Sequence, residues 1–94
     1  MTKWVFKYRI EGAELLAGQG MFAVDMPKGA RVTLAGMQHG MLTLWAIVDP
    51  EAERETREFC LRGTGKPLPT NCEHVYSFMQ NEGEFVWHLF ELER

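Results

Sequence analysis

A glycine-rich loop, Gly63-Thr64-Gly65-Lys66-Pro67, combines the residue types that are best suited to holding an anion. Two glycines around a hydroxyl can expose backbone N–H groups, and Lys66 adds a positive charge, so a phosphate would suit this loop. The spacing matches neither a Walker A loop nor a dinucleotide-binding fingerprint, and no helix is predicted to follow. A tight loop whose glycines only relieve backbone strain is therefore the alternative interpretation. The candidate ligand-binding residues are Arg62, Gly63, Thr64, Gly65 and Lys66, and the candidate ligand is nucleotide-like.

The three histidines, His39, His74 and His88, show no metal-ligand or triad spacing. His74 follows Cys72 closely, but no second pair of ligands lies at zinc spacing, so neither a metal nor another cofactor is expected. His88 sits between apolar neighbours in a predicted strand, where a hydrogen-bonded histidine is more frequent than a catalyst. We assign no catalytic residue, and a small hydrolase that uses His88 with Asp49 or a nearby glutamate stays the last-ranked alternative.

Tryptophan is present in three separate predicted strands, as Trp4, Trp45 and Trp87. We expect at least two of the three in the core, because a large ring buries about 150–250 Å². A tryptophan that faces outward would instead mark a binding surface, since tryptophan anchors interfaces more often than most residues. The candidate interface residues are Trp45, Trp87, His88 and Phe90.

These residues must be positioned by strands, because apolar and polar residues alternate along most of the chain. Pro27 and Gly29 predict one tight turn between strands, and His39-Gly40 predicts another. Only two short stretches, residues 11–17 and 50–55, could form a helical turn. The predicted strands are 4–10, 21–26, 31–38, 41–48, 56–62, 73–80 and 84–92.

The predicted fold is all-β, or a β-rich α+β fold. It is a small antiparallel sandwich or barrel of about six to seven strands, with at most one short helix. With 94 residues the chain is expected to form a single domain over residues 1–94. Residues 85–90 are apolar on both faces of the last strand. Such a strand must be covered on both sides, by a second layer or by a second copy, so a homodimer is one expectation.

Composition narrows the class of protein. The chain is 46% hydrophobic with a net charge of −3, which excludes a disordered chain and disfavours nucleic-acid binding through a basic footprint. No apolar run approaches the ~20 residues of a membrane helix and no secretory signal is visible, so we expect a cytoplasmic location and no membrane partner. Cys60 and Cys72 are expected to be free thiols there, with Cys60 buried in a strand.

Three stretches together resemble a family of short proteins of unknown function that are found mainly in bacteriophages and prophages. They are Trp45-Ala46-Ile47-Val48-Asp49-Pro50, the loop at 63–67 and Val86-Trp87-His88-Leu89-Phe90-Glu91. Their patterns are W-A-x-V-D-P, G-T-G-H/K-P and V-W-H-x-F-E. The family commonly has histidine where this chain has Lys66, which weakens a catalytic role for the loop. The resemblance implies no activity and no functional residue.

These observations favour a binding protein over an enzyme. The first hypothesis is a non-catalytic, phage-type module that binds a host protein stoichiometrically, for example a defence protein, through a sheet face or an exposed sheet edge. The second is a small-ligand binder that grips a nucleotide or another phosphate-bearing molecule through the 63–67 loop. The expected partners are thus a host protein, a second copy of the chain or a nucleotide-like ligand, and neither a membrane nor nucleic acid.

Overall fold

The computed structural model describes residues 2–11 and 20–93, which form seven antiparallel strands in two sheets. This confirms the all-β prediction and decides for a sandwich over a barrel. The candidate helical turn at 11–17 lies outside the described residues except for Glu11, and residues 50–53 form a turn that leads into a strand. The strands are β1 (Trp4–Arg9), β2 (Met21–Pro27), β3 (Arg31–Gln38), β4 (Met41–Val48), β5 (Arg54–Gly63), β6 (Cys72–Gln80) and β7 (Phe85–Leu92).

The sandwich consists of a three-stranded sheet, in the order β1-β4-β3, and a four-stranded sheet, in the order β2-β5-β7-β6. Along one side of the sandwich, β3 of the first sheet lies close to β6 of the second. The β3–β4 hairpin turns through His39 and Gly40, whose φ angles are 52° and 78°, as the predicted two-residue connection requires. None of the described residues forms a helix that is long and apolar enough to cross a membrane.

Alternating residues of each strand point into the space between the sheets and form the core. Leu42 and Leu44 of β4, Phe59 of β5 and Leu89 of β7 are at most 1% exposed. Cys60 is buried as predicted, and burial raises the pKa of its thiol. The expectation for the tryptophans is wrong, because none of the three is fully buried: Trp4 is 57% exposed, and Trp45 and Trp87 are half-buried. The core is filled by aliphatic side chains together with Phe22 and Phe59, and Trp87 packs against its margin.

Arg57 lies on the inner face of β5 and is only 8% exposed, although it is charged. Its Nε and Nη2 atoms donate to the two carboxylate oxygens of Glu91 at 2.7 Å each, and its Nη1 donates to the Ala30 carbonyl. The hydrogen bond to Glu91 raises the pKa of Arg57, so the guanidinium stays charged. Glu91 belongs to the same sheet, whereas Ala30 directly precedes β3 of the opposite sheet. The guanidinium therefore connects the two sheets.

We expect Arg57→Ala to lower the free energy of unfolding by about 3 kcal/mol, because Glu91 then keeps a largely buried charge without its partner. Urea unfolding would measure the loss, with Arg54→Ala as the matched control. Arg54 is an exposed cation on the same strand, so its removal should change stability by no more than about 0.5 kcal/mol. Equal losses in both variants would show that the buried pair does not hold the sandwich together.

Candidate functional site

One end of the sandwich opens between the sheets into a cleft of about 900 Å³. The cleft lies where β5 ends and β7 begins, and it is lined by both sheets and by the 63–67 loop. Four of the five predicted ligand-binding residues line it, and Gly65 does not. The lining residues are Gly20, Met37, Leu61, Arg62, Gly63, Thr64, Lys66, Pro67, Glu84, Phe85, Val86 and Trp87.

Trp87 forms the centre of the apolar wall of the cleft. Its register partner on β5 is Gly63, and a Cβ at Gly63 would stand 3.7 Å from the indole, so the ring lies directly against the glycine backbone. The indole N–H donates to Gln80 Oε1 at 2.8 Å, and the Phe85 ring stacks on the indole with centroids 6.2 Å apart. Because its polar edge is hydrogen-bonded and its ring is stacked, Trp87 presents a fixed apolar surface to the cleft.

The 63–67 loop is closed by a turn, and its base is fixed by Arg62. The Lys66 N–H donates to the Gly63 carbonyl at 3.3 Å, and Gly65 has a φ of 89°, the left-handed value that the third residue of a type II turn needs. The Nε of Arg62 donates to the Pro67 carbonyl at 3.0 Å. Arg62 thus holds the loop in place, and one of the backbone N–H groups that we predicted for an anion is used within the turn.

Lys66 supplies the positive charge at the cleft. Its side chain is exposed, and its ammonium has no hydrogen-bonding or ionic partner within residues 2–11 and 20–93. Glu84 lies at the same cleft and is also exposed. Lys66 therefore offers a cation for an anionic group, and Glu84 offers a carboxylate for an amino or hydroxyl group.

A chain of hydrogen bonds runs from the loop across the outer face of the four-stranded sheet. Thr64 Oγ1 lies 2.9 Å from His88 Nε2, His88 Nδ1 lies 2.9 Å from Ser77 Oγ, and Ser77 Oγ lies 2.7 Å from His74 Nε2. Because each hydroxyl donates one proton, the chain can be satisfied in either direction with both imidazoles neutral. His88 is therefore a hydrogen-bonded histidine on a sheet face, and it helps to position Thr64 at the cleft.

The structure does not join His88 to Asp49. Asp49 follows β4 of the other sheet, and its carboxylate accepts the N–H of Glu51 as the cap of a turn. The hydrogen-bond partners of His88 are hydroxyls, Thr64 and Ser77, at both ring nitrogens. Among the described residues, no group of three or more histidine, cysteine, aspartate or glutamate side chains could hold a metal ion.

The four predicted interface residues lie on three different surfaces. Trp45 is on the outer face of the three-stranded sheet, between Lys7 of β1 and Leu34 of β3. Trp87 lines the cleft, whereas His88 and Phe90 are on the outer face of the four-stranded sheet. These residues therefore do not form one continuous patch.

Several residues of the cleft were missed by the sequence reasoning, among them Met37, Glu84 and Phe85. Phe85 could have been found, because it shares the inner face of β7 with Trp87 at a spacing of two residues. Met37 belongs to the opposite sheet, and nothing in the sequence shows that β3 and β7 line the same cleft. Glu84 stands just before β7 and gives no periodic signal.

The fold and the cleft define a small antiparallel β sandwich in which an aromatic wall and a cationic loop meet at one end. The chain belongs to the DUF7352 family, a domain of unknown function, and the match covers residues 1–94. No curated protein and no solved structure matches the chain.

Gly20 is the lining residue whose replacement should disturb the cleft most. The Leu61 N–H donates to the Gly20 carbonyl at 2.8 Å, and a Cβ at Gly20 would stand 2.3 Å from the Leu61 oxygen. The matched control is Gly29→Ala, because Gly29 has nearly the same φ, 84° against 86°, but open space around an added Cβ. This variant measures only the loss of stability from holding alanine at a positive φ, about 1 kcal/mol. We expect Gly20→Ala to cost roughly 1–3 kcal/mol more in thermal or urea unfolding. Equal losses of unfolding free energy in the two variants would mean that the close approach of Gly20 to Leu61 of β5 does not contribute to stability.

Proposed function

We propose that this chain is a non-catalytic binding module and that its ligand site is the cleft beside the 63–67 loop. The ligand is a small molecule with an aromatic or apolar body and an anionic group, such as a nucleotide. The observation that carries the proposal is the ammonium of Lys66, which stands without a described partner at the rim of a cleft whose wall is Trp87 and Phe85.

The size and walls of the cleft support a small ligand. Pockets for small molecules usually enclose about 300–1,000 Å³ and are mainly apolar, with a few polar groups that fix orientation. The cleft has about 900 Å³ and an apolar wall formed by Met37, Leu61, Phe85, Val86 and Trp87. A planar aromatic group can stack on exposed ring surface there, since Phe85 is 44% exposed.

The polar groups at the rim support an anionic ligand that also carries hydrogen-bond donors. Lys66 can pair with a phosphate or carboxylate, and the Thr64 hydroxyl can bind the same group. The carboxylate of Glu84 would accept hydrogen bonds from amino or hydroxyl groups and would repel a second anion. A nucleotide offers all of these groups, with its phosphate, its sugar hydroxyls and its base.

The surroundings of His88 support binding without catalysis. A histidine that acts as a general base is usually oriented by a carboxylate at one ring nitrogen. His88 has Ser77 in that place, and no carboxylate among the described residues is hydrogen-bonded to either of its nitrogens. A neutral hydroxyl stabilises an imidazolium poorly, so the chain from Thr64 to His74 fits a positioning role.

The resemblance to phage proteins supports a stoichiometric role in the cytoplasm of a host cell, where a small binding module would sequester a signalling nucleotide. A host protein, the partner ranked first from the sequence, needs a larger surface than the cleft, because a stable protein interface buries about 800 Å² on each partner. Both roles are compatible with one chain, since the cleft occupies only one end of the sandwich.

We expect at least one member of a panel of linear and cyclic nucleotides and aromatic carboxylates to raise the thermal midpoint. At a hundredfold excess over Kd, a ligand adds about 2.7 kcal/mol of stability. Lys66→Ala and Thr64→Val should each weaken the affinity, Lys66→Ala by about tenfold or more in calorimetric titration. Lys28→Ala is the matched control, because Lys28 is an exposed lysine in the turn after β2. A panel without any shift, or equal affinity of Lys66→Ala and Lys28→Ala, would refute the proposal.

A further inference from the structure

The three-stranded sheet carries positive charge and no negative charge. Its strands contain Lys7, Arg9 and Arg31 but no aspartate or glutamate, whereas the whole chain has a net charge of −3. All three cations lie on the outer face, because their register partners on β4 are Trp45, Thr43 and Ile47, which alternate with the buried core residues of that strand. This face is therefore basic, and the remainder of the molecule is acidic.

Apolar side chains occupy the space between these cations. Val5 is 63% exposed and Leu34 is 42% exposed, with the half-buried Trp45 and Ile47 between them on β4. Exposed apolar residues that are flanked by charges of one sign mark interaction surfaces. A partner of this face must offer both carboxylates and apolar side chains.

β1 forms one edge of this sheet, and its register shows which backbone groups point outward. The Ile10 N–H donates to the Leu42 carbonyl at 2.8 Å, in continuation of the β1–β4 register. Hydrogen-bonded pairs alternate along an antiparallel ladder, so Phe6 and Tyr8 also bond to β4. The N–H and C=O groups of Val5, Lys7 and Arg9 therefore point away from β4, and none has a backbone partner among the described residues.

The other edge strands carry protective features that β1 lacks. β3 and β6 lie close together, and each has an irregularity in its register, between Val32 and Leu34 and between His74 and Tyr76. β2 ends on Pro27, which has no N–H to offer. Bulges, proline and coverage prevent the addition of any strand, whereas charged side chains such as Lys7 and Arg9 of β1 disfavour only strands of the same charge. β1 keeps a regular ladder along its whole length.

We propose that β1 accepts an extended acidic segment of a partner protein as a fourth strand of the three-stranded sheet. Side chains of the added strand lie beside those of β1 on the same face, so carboxylates neighbour Lys7 and Arg9, and an apolar residue neighbours Val5. The backbone groups of Val5, Lys7 and Arg9 form the new ladder. This surface is separate from the cleft, so the proposal does not depend on the ligand proposed there.

Charge argues against a second copy as the occupant. Antiparallel pairing of two β1 strands with substantial overlap brings Lys7 and Arg9 of both copies together, and like charges on neighbouring strands are destabilising. Single-stranded nucleic acid fits less well, because stacking needs successive aromatic residues and Trp45 is the one aromatic residue that the three described strands place on this outer face. An acidic protein segment satisfies the charge, the apolar contacts and the edge together.

Hydrogen exchange by NMR tests the geometry directly, with a short capped peptide that alternates glutamate and valine as the probe. In the free protein the amides of Val5, Lys7 and Arg9 should exchange fast and those of Phe6 and Tyr8 slowly. Saturating peptide should protect the three fast amides at least about tenfold. No protection at these amides would overturn the proposal, whatever the peptide does elsewhere.

Matched probes and variants separate strand addition from charge attraction in fluorescence anisotropy. We expect a peptide that is N-methylated at alternate residues, on the edge that would face β1, and a peptide with lysine for glutamate to lose binding. Lys7→Glu and Arg9→Glu should weaken the affinity about tenfold or more, and Lys28→Glu should not. Both variants alter exposed side chains, and circular dichroism would verify their fold. Equal binding of the N-methylated peptide, or tighter binding of an oligothymidylate of equal charge, would overturn the proposal.

Discussion

The buried guanidinium of Arg57 is the interaction on which the arrangement of the two sheets depends. A buried charge is tolerated when it is paired and hydrogen-bonded, and each of the three guanidinium nitrogens of Arg57 has an acceptor, in Glu91 of one sheet or Ala30 at the start of the other. These bonds fix the separation and the relative position of β5, β7 and the turn before β3. Apolar packing alone would allow the sheets to slide, because aliphatic contacts are not directional.

The position of this cross-link also explains where the cleft can form. Gly63 lies six positions after Arg57 on β5, which corresponds to about 20 Å of extended strand. Arg57 connects the two sheets near one end. At the other end, Met37, Phe85 and Trp87 line the cleft between them. The loop that follows β5 brings Lys66 and Thr64 to this opening, and Arg62 and His88 hold the loop there. The polar groups of the cleft are thus positioned by the hydrogen bonds of Arg62 and His88 to the loop.

The strands could be predicted from the sequence, because alternation and turn residues are local signals. Six of the seven strands begin within one residue of their predicted position, and β5 begins two residues early, at Arg54. Sandwich and barrel could not be separated, since strand order depends on pairings between distant segments. The alternation along β5 could be predicted, but the burial of Arg57 depends on Glu91, 34 residues further along the chain. The ligand-binding residues predicted from the sequence were consecutive residues of one loop, and the lining residues from distant parts of the chain were not predicted as such.

Net charge proved a poor guide to the surfaces of this protein, because the charges have different roles. Arg57 forms an ion pair with Glu91 inside the sandwich, and Arg62 is hydrogen-bonded to the 63–67 loop. Both cations are therefore engaged within the molecule. Lys66 stands at the cleft, and Lys7, Arg9 and Arg31 lie on the outer face of a sheet whose three strands contain no aspartate or glutamate. A sum of −3 disfavours nucleic acid as a partner of the whole molecule, yet it conceals one basic face. The same cations that admit an acidic strand at β1 repel another copy of β1. An edge strand that would otherwise promote self-association is in this way made selective by its charge.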